Sequence, residues 1–301
     1  MKERSLKRFA WLSISAAVIT ILLKTLAYVL TGSVGLLSDA IESLVNLAAA
    51  IMALSMITLA EKPPDKEHAH GHSKAEYFSS IVEGVLILIA ALSIGISAVD
   101  RIIHPRPIDH AYLGLAVSVL AAFLNLFVAL RLLKVGKEQQ SITLEADGHH
   151  LMTDVWTSVG VIGGVILVTV TGVQILDPLI AIAVAVNIVY TGIQIMKRSA
   201  LGLMDASLPD SDIKIITSVL DKNCKKGITY HGLRTRQSAY RSFMSVHILV
   251  PGNWTVKRGH DLLDDIEIEI RRELPRINVT THLEPIEDPK SHDDESLDRS
   301  V

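Results

Sequence analysis

The 301 residues carry a formal net charge of -3, with 29 Lys and Arg against 32 Asp and Glu, so no basic excess points to a nucleic-acid partner. Hydrophobic residues make up 49% of the chain and the mean hydropathy is +0.38, which argues against an ordinary soluble enzyme. A single cysteine, Cys224, excludes an internal disulfide and suits a reducing compartment.

The basic start, Met1 to Arg8, leads into an apolar run that is too long for a cleaved leader and lacks a small-residue cleavage site, so it reads as a retained helix. Crossing a bilayer core takes about 20 apolar residues in helical form. Six segments meet that need: Phe9 to Leu30, Gly35 to Leu59, Ser79 to Val99, Ala111 to Leu133, His149 to Thr171 and Pro178 to Met196. Lys2, Arg4, Lys7, Arg8, Lys62, Lys66, Lys74, Arg131, Lys134, Lys137, Lys197 and Arg198 fall on one side of six spans, and only Arg101 and Arg106 on the other. That bias places both termini in the cytoplasm.

After Met204 the pattern becomes that of a soluble domain. Asp210 to Cys224 reads as a helix, His231 to Gln237 and Phe243 to Val250 as strands, Thr255 to Leu274 as a helix and Asn278 to Leu283 as a last strand. The expected fold is an α-helical membrane protein with six transmembrane helices, residues 1–204. A cytosolic α+β domain of α-β-β-α-β order, metallochaperone-like, follows over 205–287, and 288–301 form an acidic, disordered tail.

Ionisable groups within a spanning helix are costly and mark function. The second helix holds Asp39, Glu42 and Asn46; the fifth begins with Glu145 and Asp147 and continues with His150 and Asp154. Glu42 and Asn46 are four apart, as are His150 and Asp154, so each pair shares one helix face. Packed together, the two faces would offer two carboxylates, an amide oxygen and an imidazole, a donor set for a tetrahedral divalent metal. On spacing alone the same residues read equally as interhelical hydrogen-bond clusters. Lys24 in the first helix reads as snorkelling to the interface, with an ion pair to a bundle carboxylate as the other reading.

The loop after the second helix contains Asp65, His68, His70 and His72; Asp65, His68 and His72 form either a metal site or a flexible scavenging segment. In the soluble domain, His231, His247, His260, His282 and Glu284 are candidate ligands or plain surface residues, and strand alternation puts His282 and Glu284 on one face.

Taken in order, Tyr28 to Asn46, His72 to Glu76, Glu145 to Asp154 and Leu233 to Ser238 resemble the cation diffusion facilitator family over nearly the whole chain. The resemblance implies a homodimer that exchanges cytosolic metal for protons by alternating access. It implies a transport site on Glu42, Asn46, His150 and Asp154, a loop site on Asp65, His68 and His72, and cytosolic sites on His231, His247, His260, His282 and Glu284. It also implies a charge interlock between Lys74 and Asp205. Zinc members of the family usually carry aspartate where this chain has Asn46, and asparagine adds neither charge nor a titratable group.

Zinc is the expected cargo, with Fe(II), Co, Mn or Cd also suited to these donors. The metal is substrate and regulator, and no catalytic cofactor is expected. An intramembrane metalloenzyme would need an open metal position and a general base, as in the H-E-x-x-H pattern, which is lacking, so no enzyme activity is expected. A membrane metal sensor or scaffold that binds without transporting is the remaining rival. The compact chain without a targeting extension points to a bacterial inner membrane.

Overall fold

The computed structural model describes residues 6–31, 34–104, 112–225 and 227–291. Within the helices, the side chains of residues 31, 34–39, 41, 42, 112–115, 161, 165, 166 and 169 fall outside that description. The chain divides into two compact units, Met1–Ala200 and Leu201–Val301.

The first unit is built from six long helices: α1 (Lys7–Thr31), α2 (Val34–Ala60), α3 (Ala75–Ile103), α4 (Tyr112–Gln139), α5 (Ile142–Thr171) and α6 (Leu176–Leu203), the last turn of α6 entering the second unit. Five of them, all but α5, are long and apolar enough over their described residues to cross a membrane. At 30 residues α5 is about 45 Å long, sufficient in length, but its first half holds Glu145, Asp147, His149, His150 and Asp154. Its position accounts for that composition. It packs against α1, α2, α3 and α4, so it meets protein rather than lipid on most sides.

Polarity in this unit is inverted relative to a soluble bundle. Leu22, Leu26, Val29, Leu92, Ile96, Phe123, Leu130, Val186 and Tyr190 are exposed, while Ser13, Asn46, Glu83, Asn125, Asp147 and His150 are buried. Apolar surface outside and polar groups inside is the arrangement a lipid solvent selects, because an unsatisfied polar group in hydrocarbon costs several kcal/mol. Small residues let the helices approach. A Cβ at Gly84 of α3 would lie 3.4 Å from the Gly192 carbonyl oxygen of α6 and 2.5 Å from Met196 Cγ.

Helix α5 starts at Ile142, three residues before Glu145, where the sequence places its beginning, and seven before the apolar run that opens at His149. Charged Glu145 and Asp147 hide the start from a hydropathy reading. The physical signal is Ser141, whose hydroxyl caps the helix by accepting from the Leu144 amide at 3.4 Å. Ser141 also donates to Glu76 Oε2 of α3, which accepts in addition from the Thr143 amide at 3.2 Å. A carboxylate at a helix N-terminus complements the helix dipole. Glu145, one turn in, is held by Arg198 of α6 through both guanidinium nitrogens. Near the other ends of α3 and α6, Arg101 is paired with Asp177.

The second unit contains α7 (Asp210–Asn223), β1 (Thr229–Ser238), β2 (Arg241–Val250), α8 (Val256–Glu273) and β3 (Ile277–Pro285), the expected order. The sheet order is β1-β2-β3, with β1 antiparallel and β3 parallel to β2. The parallel pair requires a crossover, which α8 supplies. Met244, Val246, Ile248 and Val250 alternate along β2 and form one core with Ile216 and Leu220 of α7 and Ile266 and Ile270 of α8. Each fully buried Ile or Leu contributes about 1.5–3 kcal/mol. Gly259 of α8 lies where a Cβ would strike Leu283, so the helix seats directly on β3. With the helices on one face, the opposite face receives the other residues of the alternation, including His247. Part of the expected tail is ordered. Residues 288–291 fold back, with Ser291 Oγ donating to the Pro285 carbonyl at 2.8 Å; the rest of it lies outside the described residues.

Candidate metal centres

In the first unit, Asn46 of α2 meets His150 and Asp154 of α5. Asn46 Nδ2 donates to Asp154 Oδ2 at 2.6 Å, and His150 Nε2 lies 2.8 Å from Asn46 Oδ1. Asn46 is 8% exposed and His150 5% exposed. The i,i+4 spacing of His150 and Asp154 gives this convergence its geometry, since both project from one face of α5 onto one residue of α2. The donors are an amide oxygen, an imidazole and a carboxylate. The fourth expected member, Glu42, stands in α2 one turn before Asn46, and its side chain lies outside the described residues.

The loop between α2 and α3 brings together Asp65, His68 and His72, whose donor atoms all lie within 4.8 Å of one another. Asp65 Oδ2 lies 3.3 Å from His72 Nε2. Asp65 Oδ1 accepts from the amides of Glu67 at 3.0 Å and His68 at 2.7 Å, an Asx turn that fixes the carboxylate. Chiefly that amide of His68 holds the Asp65 carboxyl below its ordinary value. Its charge, present above the ordinary carboxylate range, is therefore lost only when pH falls through the lowered value. Replacing Asp65 by Asn keeps an oxygen for the two amides but removes the charge. Asp65→Asn should preserve the turn and weaken zinc binding by the loop about tenfold. Calorimetric titration of the full chain reads this, and unchanged affinity would leave the loop a nonspecific scavenger.

In the second unit the strand register aligns three histidines on one rung. His231 of β1 is opposite His247 of β2, which is opposite His282 of β3. Adjacent rings along the rung stand 5.0 Å apart between centroids. Glu284, two residues beyond His282, turns its carboxylate onto all three: 2.9 Å to His231 Nε2, 3.1 Å to His247 Nδ1 and 3.5 Å to His282 Nε2. His231, His247 and Glu284 form a metal-competent group. A bulge between His231 and Arg234, with Gly232 at φ +61°, sets the position of His231. The structure does not bring His260 into this group; it sits exposed on α8, 3.4 Å from Asp264 Oδ2.

Comparison with known proteins settles the family. Residues 10–204 match the profile described as cation efflux transmembrane domain, and residues 208–286 that described as cation efflux protein, cytoplasmic domain. The chain belongs to this cation efflux family, the cation diffusion facilitators. Over 297 residues it is 52% identical to an uncharacterized transporter, sll1263, of Synechocystis sp., spanning 98% of this chain and 96% of the relative. It is 30% identical over 287 residues to the cation-efflux pump FieF of Klebsiella pneumoniae, spanning 94% and 93%. The FieF of Serratia proteamaculans is 29% identical over the same shares. The protein is thus an integral membrane transporter of metal cations and not an enzyme.

The transporter has polar residues around Asn46, His150 and Asp154 that the sequence reading passed over. Asn125 of α4 donates to Asp154 Oδ2 at 3.1 Å. Ser13 of α1 donates to Asp147 Oδ1 at 3.1 Å. Glu83 of α3 places Oε2 3.7 Å from His150 Nδ1. Glu76, Ser79, Ser80 and Glu83 recur along one buried face of α3. The signal was available: two glutamates seven residues apart on a spanning helix mark a face turned from lipid. Of the expected interlock pair, Lys74 is the N-cap residue of α3, and Asp205, at φ +57°, pairs with Arg236 at 3.2 Å.

Proposed function

We propose that this transporter exports a divalent transition metal, zinc foremost, in exchange for protons, working by alternating access as a homodimer in a bacterial inner membrane with both termini in the cytoplasm. The convergence of Asn46, His150 and Asp154 from two helices inside the bundle carries the reading. With Glu42 it makes a four-donor set of nitrogen and oxygen, and the affinity order for such donors puts zinc above manganese and iron. Only neutral imidazole binds metal, so metal and protons compete at His150, and Asp154 offers a second group where the same competition acts. Facing the cytosol, the site loads metal; facing a more acidic exterior, protons displace it. Competitive flux into sealed vesicles with Zn, Fe(II), Co, Mn and Cd tests the cargo. Zinc flux that the other ions outcompete at equal concentration would reject zinc as the preferred substrate.

The loop trio and the histidine rung would serve as peripheral metal sites. Metal on the rung would favour one arrangement of the dimer, which requires different affinity in the two arrangements.

A further inference from the structure

Glu83 lies in the third turn of α3, and it is 1% exposed. Neither of its carboxylate oxygens has a hydrogen-bond partner among the described residues. Asp147 of α5, also 1% exposed, uses one oxygen to accept from Ser13 and leaves the other without a partner among the described residues. Among the described residues, the carboxylates of Asp147 and Asp154 are near enough to repel its charge, and its own oxygen lies 3.7 Å from His150 Nδ1. Glu76, on the same helix face and fully buried, is treated differently: one of its oxygens takes Ser141 and the Thr143 amide together. That is how this chain satisfies a carboxylate kept to join helices. Glu83 has no such donors among the described residues. A buried carboxylate left bare costs several kcal/mol, so it must meet a cation or be held neutral.

Among the described donors of the transport site, Asp154 alone is an anion, because Asn46 brings an amide. The ring of His150 has one nitrogen toward Asn46 and the other toward Glu83. A carboxylate behind a ligand imidazole fixes the tautomer by taking the N–H of the far nitrogen, which turns the near nitrogen's lone pair to the metal.

We propose that Glu83, with Asp147, is a further cation-holding part of the transport site, drawing the divalent ion in from the α3 side and orienting His150 through Nδ1. The proposal rests on the transport-site reading and assigns Glu83 and Asp147 the negative charge that Asn46 does not supply.

Zinc uptake by the full chain in proteoliposomes tests it, because Glu83→Gln leaves the loop trio and the histidine rung intact, and a change in KM then arises in the transport path. Glu83→Gln has the shape of a neutral glutamic acid. It should keep the wild-type elution volume and raise KM for Zn²⁺ about tenfold, the signature of lost binding. Glu83→Asp should restore part of that loss, and so should Asn46→Asp introduced beside Glu83→Gln, since each returns a charge to the site. A KM for Glu83→Gln no different from wild type overturns the proposal, for the group then acts as a neutral filler. A raised KM that neither Glu83→Asp nor Asn46→Asp relieves overturns it as well, because the loss then does not follow the charge of the site. Wild-type flux and its loss in Asp154→Ala belong to the same series, so Glu83 can fail while the transport site stands.

Discussion

Asp154→Ala should abolish metal flux, lowering the initial rate at least about 100-fold, which corresponds to about 3 kcal/mol for a part-buried carboxylate proposed to face the metal. Asn46 and Asn125 both donate to Asp154 Oδ2, at 2.6 and 3.1 Å, so removing the carboxylate also strands two amide donors. Each stranded donor costs about 1–3 kcal/mol of stability. Asp154→Asn separates the two effects. It keeps an oxygen for the amides and should fold like wild type, yet it should be equally inactive because the charge is gone. Flux in proteoliposomes, paired with the elution volume of each variant, gives the answer. Normal flux in either variant would remove Asp154 from the site.

Glu284→Ala should have the second-largest effect, a loss of about 100-fold in metal affinity at the histidine rung. One carboxylate there faces His231, His247 and His282 together, so a single truncation removes the anion from the whole group. The fold of the domain should survive, because the apolar core of Ile216, Ile248, Ile266 and Ile270 lies against the other face of the sheet. Zinc-dependent thermal stabilisation measures it. Wild-type stabilisation by zinc in Glu284→Ala would make the rung an ordinary surface cluster. If the rung tunes transport, flux at low metal should fall more than maximal flux; equal losses at both would point to a folding defect.

The sequence carried the architecture well because the bilayer and the helix period each leave a plain signature. Runs of apolar residues located the helices of the first unit, and the i,i+4 pair His150 and Asp154 already placed two donors on one face of α5. What stayed hidden depends on contacts between elements. The start of α5 is set by Ser141 and by Glu76 from another helix, and neither has an apolar signal. The rung of His231, His247 and His282 needs the register of three strands, including a bulge, and alternation along one strand says nothing of its neighbours. His260 looked equivalent to these three in composition, but helix α8 carries it elsewhere. Glu83 was missed for a related reason: its meaning comes from the nitrogen of His150 that faces it across a helix interface.

Proton exchange through the Asn46–His150–Asp154 site is the central claim, and zinc uptake into sealed proteoliposomes with an imposed pH gradient tests it most directly. With an acidic lumen, uptake should accelerate severalfold over vesicles without a gradient, should fall back when an ionophore collapses the gradient, and should be lost in Asp154→Ala. Zinc uptake by the wild type at the same rate before and after collapse of the gradient would contradict it.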